Sequence, residues 1–276
     1  ADGFVAPPNH ELIEHPMIVQ TLSYGFRPGA MVFGDVEKGS FSYFLSANNE
    51  LDQNNTVTGV PIVTARVSTY LSGIGLGVSG SWLRIGGPTR DSLVGLTPGG
   101  HRFFAPVPVR GWSQRYEVDA IVDAGPFFAT AEYAWGYQQR KRANADFSDG
   151  APLIAQGAYV TLGWMFVGVP PGSKGPHLPF KDWDFSFDLQ RKRLGRNAGA
   201  EILIRGEWIS IDQARGERDF KGNSAKAITV GFNIYLMENV RLTLEYVHLH
   251  IGDKSRAERA HSREADELLF RGQLEF

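Results

Sequence analysis

Charged residues of both signs stand at alternate positions in several segments of this 276-residue chain whose intervening residues are apolar. Alternate residues of a β-strand share one face, so each segment predicts a strand with one charged and one apolar face. Arginines around water lower the barrier for anions, whereas interleaved acids and bases pair with each other and only stiffen the wall. Both interpretations stay open. The candidates for lining such a path are Arg66, Arg115, Arg205, Arg241, Arg271, Glu117, Glu201, Glu207 and Glu245.

Other groupings that could support chemistry do not meet the requirements of a site. His248 and His250 share a strand face, but a metal needs a third ligand at fixed spacing, so a solvent-exposed pair is favoured. The glycine-rich run Gly73–Gly77 lies in a strand turn, and no helix follows it as a phosphate loop requires. Cysteine is absent, and no ordered nucleophile motif occurs. We therefore predict no enzymatic activity, no cofactor and no metal.

Composition limits the class of protein that these strands can form. No apolar run approaches the roughly 18 residues of a membrane helix, and the mean hydropathy is -0.21. A transmembrane β-barrel has such values because lipid-facing and water-facing residues alternate. The net charge is -2, which gives no electrostatic reason to bind nucleic acid. We predict an all-β fold, a transmembrane antiparallel β-barrel of the bacterial outer membrane, with no nucleic acid partner.

The C-terminal segment shows the alternation most clearly. One face carries apolar residues and a glycine, at Leu268, Phe270, Gly272, Leu274 and Phe276. The other face is polar except for Leu269. A strand between lipid and water requires such a pair of faces. We interpret Phe270, Leu274 and Phe276 as a C-terminal assembly signal for the barrel.

The connections between the predicted strands sort into two kinds. Short turns occur near 37–39, 72–73, 124–126 and 237–239, and long polar loops near 49–59, 86–112, 138–152, 212–225 and 252–266. Outer-membrane barrels usually have short turns at one end and long loops at the other. With a weaker segment near 17–25 included, about twelve strands cross, an even number as in single-chain barrels. The loop 86–112, which contains Phe103 and Phe104, is a candidate for folding into the lumen.

Strand parity and proline content define the remaining organisation. If Phe276 lies at the periplasmic end, the span 168–197 must start and end on that same side. Residues 1–16 contain Pro7, Pro8 and Pro16, which favour an extended arm over a helix. We predict an extended arm over 1–16 and a single β-barrel domain over 17–276.

Several segments resemble the phosphate-selective porins O and P, chiefly in the C-terminal two-thirds of the chain. Gly231–Leu236 is similar to a Gly-Leu-Asn-Trp-Tyr-Leu strand of that family, and Asn239–Leu242 follows its turn. Arg271–Gln273 before Phe276 resembles the family's terminus, and Gly125–Phe127 resembles another of its hairpins. The resemblance implies about sixteen strands, a trimer, and anion selectivity from a basic constriction. The smaller strand number here means a reduced barrel, upstream strands outside this polypeptide, or a wall completed by another protein.

These features predict a porin-like barrel, an anion channel or a path for passive diffusion of small hydrophilic solutes. The alternative is a structural barrel subunit that scaffolds a larger outer-membrane complex, with the arm 1–16 and the basic run Arg191–Arg193 as contacts. We expect outer-membrane lipid and lipopolysaccharide around the barrel, with lipopolysaccharide phosphates near Arg140–Arg142. The expected protein partners are further copies in a homotrimer or other membrane proteins.

Overall fold

The computed structural model describes residues 12–13, 15–22, 29–36, 41–51, 57–85, 91–124, 126–141, 150–167, 199–213, 222–237, 240–253 and 262–274. These residues form one short helix and thirteen strands. The elements are α1 (Met17–Leu22), β1 (Gly29–Val36), β2 (Phe41–Leu51), β3 (Val57–Leu71), β4 (Ile74–Ile85), β5 (Asp91–Leu96), β6 (Arg102–Val109), β7 (Gly111–Ala124), β8 (Phe127–Arg140), β9 (Gly150–Val167), β10 (Gly199–Gln213), β11 (Asn223–Met237), β12 (Val240–Ile251) and β13 (Glu264–Leu274).

An 11-stranded antiparallel sheet, in the order β1-β2-β3-β4-β7-β8-β9-β10-β11-β12-β13, forms the wall of a β-barrel. β4 pairs with β7 because β5 and β6 leave the wall and pair with each other as a separate hairpin. The predicted all-β antiparallel barrel is therefore confirmed. Because neighbouring strands of this sheet are antiparallel, the first and the eleventh strand, β1 and β13, run in the same direction. Antiparallel pairing that closed the barrel between them would need a further strand.

Burial alternates along the strands as the sequence predicts. On β10, Glu201, Arg205 and Ile209 are buried, whereas Ile202 and Ile204 are exposed. Successive side chains of a strand point to opposite faces, so one face of the sheet is enclosed and the other is exposed and apolar. Such an outer face is unfavourable in water and favourable in lipid, as a transmembrane barrel requires.

Aromatic side chains form two rows on the outer face, one near each end of the strands. The first row has successive ring centroids 5.9, 5.8 and 6.3 Å apart and contains Trp82, Tyr116, Trp135 and Tyr137. The second has spacings of 5.9, 5.6 and 6.0 Å and contains Phe127, Trp164, Phe166 and Phe232. On β8, Phe127 and Trp135 are roughly 26 Å apart along the strand at about 3.3 Å per residue. With strand tilt this approaches the apolar band of about 25 Å that aromatic girdles flank.

The connections lie at two edges of the sheet, as predicted. The strand registers place 37–40, 72–73, 125–126 and 238–239 at one edge, here called the short-turn edge. Ser72 and Gly73 have φ values of 50° and 85°, which a tight turn between two strands requires. Apart from the span between β9 and β10, the longer connections, including the one that carries β5 and β6, lie at the opposite, loop edge.

The parity argument for the long span between β9 and β10 is also confirmed. Ala200 pairs with Val167, so both ends of this connection lie at the short-turn edge. The connecting residues 168–198 lie outside the described residues.

The predicted weak strand near 17–25 is wrong, because Met17–Leu22 forms helix α1 inside the barrel. The N–H of Gln20 donates to the carbonyl oxygen of Pro16 at 3.0 Å, which is the first turn of the helix. Met17, Ile18, Val19, Thr21 and Leu22 are all buried. A segment that the wall and the hairpin surround is apolar on all sides. The spacing of its apolar residues therefore does not distinguish a helix from a strand. Without this segment the predicted crossings are the eleven strands of the sheet.

None of the helical segments in the described part of the chain has the length and hydropathy to span a bilayer.

Candidate functional site

The enclosed face of the sheet has an apolar half and a polar half. Toward the loop edge it carries the buried apolar side chains Leu153, Ala155, Ile209, Ile211, Ala225, Ala227, Val247, Leu249 and Ile251. Toward the short-turn edge the same strands carry the buried polar side chains Glu201, Arg205, Glu207, Thr229, Asn233, Thr243 and Glu245. The chemistry predicted for a lumen is therefore concentrated in the polar half.

Arg66 on β3 lies among carboxylates of β7. Its guanidinium pairs with Asp119, with Nη2 2.9 Å from Oδ2, and its Nη1 lies 3.7 Å from Oε1 of Glu117. These partners meet across β4 because Gly77 has no side chain there, and a Cβ at Gly77 would clash with both charged groups. Asp119 was not among the candidates, although its spacing of two residues from Glu117 places it on the same face.

The other candidates on β10 to β13 are also engaged within the wall. Arg205 Nε donates to Oε1 of Glu207 at 3.1 Å. Glu201 Oε1 accepts from Nδ2 of Asn233 at 2.7 Å. Arg241 donates to Oε1 of Gln273 at 2.8 Å, with its Nη2 as donor. The structure thus brings Arg66 to Glu117 and Arg205 to Glu207, and it supports the interpretation of the charges as a lattice that stiffens the wall.

Residues 12–13 and 15–22 lie inside the barrel and are held by the polar half. The backbone N–H of Met17 donates to Oε2 of Glu207 at 2.6 Å. The backbone N–H of Ile13 donates to Oε1 of Glu245, a carboxylate with no exposed surface. On β13, Nη2 of Arg271 lies 3.5 Å from the carbonyl oxygen of Leu12. Predicted pore-lining residues therefore bind a segment of the chain itself.

Glycines of the enclosed face make room for this segment. A Cβ at Gly136 would lie 2.9 Å from Cδ2 of Leu22, and a Cβ at Gly157 would lie 3.2 Å from Cδ1 of Ile18. Gly231 likewise lies directly beneath Leu12. Larger side chains at these three wall positions would push against the inserted segment, so the wall and the segment are complementary in shape.

The hairpin β5–β6 folds into the barrel from the loop edge, which confirms the prediction for the segment 86–112. Phe103 and Phe104 are fully buried in the same apolar core as α1. Asn223 of β11 anchors the hairpin by donating from Nδ2 to the carbonyl oxygen of Phe103 at 2.6 Å. At the hairpin tip, Nε2 of His101 lies 3.4 Å from Oε1 of Glu267 on β13.

We call residues 12–13 and 15–22, together with the hairpin β5–β6, the lumen plug. Its two parts meet where Nε2 of Gln20 lies 3.5 Å from the carbonyl oxygen of Pro98. Plug and wall share one apolar core, whose wall residues on β10, β11 and β12 lie toward the loop edge. Of the predicted arm 1–16, Leu12 is buried in the lumen, and most of the other residues lie outside the described part of the chain.

Arg115, Glu117 and Phe270 can each be assigned to a face of the wall. Arg115 and Glu117 lie on the enclosed face of β7, and Phe270 lies on the outer face of β13 with 70% of its surface exposed. Leu274 is the last residue of β13, and Phe276 lies outside the described residues. Leu269, the apolar exception of the polar face, packs against the core of the plug. An apolar residue at position 269 is therefore explained by contact with this core and not by contact with lipid.

The two histidines of β12 do not form a metal site with other residues of the wall. Nδ1 of His248 lies 2.8 Å from Oδ1 of Asp266, and Nδ1 of His250 lies 3.8 Å from Oε1 of Glu264. Both histidines are about half exposed on the outer face near the loop edge. Across the described ranges, no group of three histidine, aspartate or glutamate side chains is arranged to hold a metal ion.

A sequence model of one protein family, described as phosphate-selective porin O and P, matches residues 8–276. The match is wider than the C-terminal two-thirds in which the sequence showed the resemblance. A comparison with curated proteins gives no match.

Solved structures with a similar fold are outer-membrane proteins. In-vitro folded OmpT of Vibrio cholerae has a TM-score of 0.57 and 10% identity, over 92% of this chain and 66% of its own. The trimer form of that protein has a TM-score of 0.52 at 10% identity over the same shares. A porin refined at 1.8 Å has a TM-score of 0.50 and 11% identity, over 92% of this chain and 64% of its own. This chain therefore spans just under two thirds of their lengths, and the similarity shows a porin fold.

Proposed function

We propose that this chain, which belongs to the phosphate-selective porin O and P family, provides a path for passive diffusion of small hydrophilic solutes. The lumen plug lies in this path. The protein is located in the bacterial outer membrane, as the family and the similar outer-membrane structures indicate. Passive diffusion requires a polar lumen inside an apolar wall. The observation that supports it best is the charged, enclosed polar half behind an exposed apolar outer face.

The plug sets the condition under which such a path opens. The polar half is polar enough for water, but the apolar core of plug and wall occupies the lumen toward the loop edge. A hydrophilic solute cannot cross a packed apolar core without losing its hydration, which is costly. Diffusion therefore requires α1, the hairpin β5–β6, or both to leave the lumen.

Conductance of the purified full-length chain in planar lipid bilayers tests this proposal. Ile18 faces Gly157 of the wall and is buried, so Ile18→Asp places a charge in the apolar core and favours plug release. We expect rare conductance steps from the wild type and frequent steps from Ile18→Asp, with Ile18→Val behaving like the wild type. Silent bilayers for all three proteins would contradict a pore.

The second candidate function is a structural barrel that scaffolds a larger outer-membrane complex. The filled apolar half favours it, because a permanently packed lumen stabilises a wall without conducting. Silence of Ile18→Asp, together with co-purification of a partner membrane protein from native outer membranes, is the result that this candidate predicts.

Two further parts of the proposal concern neighbours in the membrane. A homotrimer is supported by the trimer form of the similar OmpT structure and is tested by chemical cross-linking in intact outer membranes.

Contact with lipopolysaccharide is supported by Arg140 and Lys141 at the loop edge, where β8 ends. Charge reversal at these two residues is expected to weaken lipopolysaccharide retention during purification.

A further inference from the structure

Ionisable side chains interrupt the apolar outer face on three neighbouring strands near the loop edge. They are Lys226 of β11, His248 and His250 of β12, and Glu264 and Asp266 of β13, and all five are exposed. Strand register places His250 between Lys226 and Glu264, and it places His248 beside Asp266. The wall therefore carries one continuous polar patch here, which we call the outer patch.

The outer patch lies at the level of an aromatic row. On β8, Phe127 is the first residue after a short turn, and Trp135 and Tyr137 of the first aromatic row are the ninth and eleventh. On β12, His248 and His250 are likewise the ninth and eleventh residues after a short turn. Strands rise by a similar distance per residue, so equal counts from the same edge give similar heights. The two histidines thus lie where aromatic side chains mark the boundary between hydrocarbon and headgroups.

The carboxylates of the outer patch hold the histidine rings. Oδ1 of Asp266 lies 2.8 Å from Nδ1 of His248 and accepts from the hydroxyl of Tyr246 at 2.6 Å. Oε1 of Glu264 lies 3.8 Å from Nδ1 of His250. In each ring, Nε2 is on the side away from the carboxylate. This nitrogen can accept from a sugar hydroxyl or, in the protonated ring, donate to a phosphate oxygen.

Two further side chains complement a phosphorylated sugar. Lys226 has three N–H donors and a positive charge, which suit a phosphate group at a membrane surface. Its register partner on β10 is Trp208, which is exposed on the outer face. An indole ring at this level packs against the apolar parts of a headgroup while its N–H stays near water. A cation, two oriented imidazole rings and an aromatic ring therefore face the same layer of the membrane.

We propose that the outer patch binds the phosphorylated glucosamine headgroup of lipopolysaccharide, with Lys226 and His250 as its main contacts. Long loops mark the extracellular end of an outer-membrane barrel, and lipopolysaccharide forms the outer leaflet at that end. The site is separate from Arg140 and Lys141, because β8 and β12 are four strands apart in the sheet. It is independent of the proposed pore, because it lies on the face of the wall that is turned away from the lumen.

Titration of fluorescently labelled lipopolysaccharide into the purified full-length chain in detergent micelles tests this site. Lys226→Gln combined with His250→Gln is expected to raise the apparent Kd about fivefold or more, the effect of one basic residue at an anionic membrane surface. Lys226→Arg keeps the charge and should bind like the wild type. His101→Gln removes a histidine of the hairpin inside the barrel and is the matched control, with no expected change. Heat-modifiable migration in gels shows that each variant is folded.

Two comparison lipids identify the group that is recognised. Dephosphorylated lipopolysaccharide should bind equally weakly to the wild type and the double variant, and vesicles of phosphatidylglycerol should bind equally to both. Equal affinities of these two proteins for intact lipopolysaccharide would overturn the proposal. An equal loss of affinity for phosphatidylglycerol would also overturn it, because the patch would then recognise any anionic lipid. Loss of cross-linked oligomers with unchanged lipopolysaccharide affinity would instead assign the patch to contacts between copies of the chain.

Discussion

The backbone N–H of Met17 donates a hydrogen bond to the carboxylate of Glu207, and Oε2 of that glutamate is 2.6 Å away. This contact joins the first turn of α1 to the wall strand β10. The same carboxylate also accepts a hydrogen bond from Arg205. Glu207 therefore contacts both the charged side chains of the wall and the plug. A change in the charged lattice is therefore coupled to the position of the plug.

Gly136→Val is expected to displace α1 while leaving the sheet intact. The added Cβ meets Leu22 at 2.9 Å, whereas the carbonyl oxygen of Ala155 in the wall lies 3.7 Å away. Overpacking of about 1–3 kcal/mol shifts the equilibrium between the inserted and the released plug by roughly fivefold to more than a hundredfold. Bilayer recordings should show a matching rise in open probability.

A compensating substitution checks the mechanism of this effect. Leu22→Ala removes the side chain that the new valine meets, so the double variant should return toward wild-type opening. Gly206→Val is the control, because a Cβ at Gly206 meets no atom within 4 Å. Equal opening by the single and double variants would show that valine acts elsewhere than on α1.

Asn223→Ala is expected to loosen the hairpin β5–β6. Its amide donates to the carbonyl oxygens of Phe103 at 2.6 Å and Asp253 at 2.8 Å. An unsatisfied buried carbonyl group costs about 1–3 kcal/mol, so amide hydrogens of β6 should exchange faster in a hydrogen–deuterium experiment. Ser224→Ala, which leaves the backbone N–H of that residue in place, is the control, and unchanged exchange in Asn223→Ala would contradict the anchor.

Asp119→Leu and Arg66→Met should each destabilise the barrel strongly. Each single change leaves the other member of a buried ion pair without its closest partner, at a cost of about 3–5 kcal/mol. The combined change of Arg66→Met with Asp119→Leu should recover much of that loss. Unfolding by urea in lipid vesicles measures the free energies, and Arg84→Met, at an exposed arginine, is the control. Additive losses in the double variant would rule out a direct pair.

Phe270→Arg should impair membrane assembly. Phe270 is exposed on the outer face of β13, and an arginine facing lipid costs about 2–4 kcal/mol near the midplane. The fraction of heat-modifiable, folded protein in isolated outer membranes measures assembly. Phe270→Leu keeps an apolar side chain and should assemble normally. Equal assembly of the two variants would place this position outside the lipid.

Alternation along the chain was sufficient to predict most wall strands, their faces and the edge at which most connections lie, but it did not predict β5, β6 or α1. Lipid on one side and an enclosed lumen on the other impose a period of two on every crossing strand, and that period is visible in a single chain. The same alternation placed all nine pore-lining candidates on the enclosed face. It also placed Phe103 and Phe104 in a loop that enters the lumen.

Only the tertiary structure decided what fills that lumen and which charges meet. Residues 17–22 have no periodic signal because wall and hairpin surround them, so their helix and their burial could not be read from spacing. Arg66 reaches Asp119 across a strand where Gly77 leaves space, a contact between residues far apart in sequence. Local alternation predicts the face of the sheet on which a side chain lies. The residue that it contacts on that face depends on strand register and on the segment folded against it.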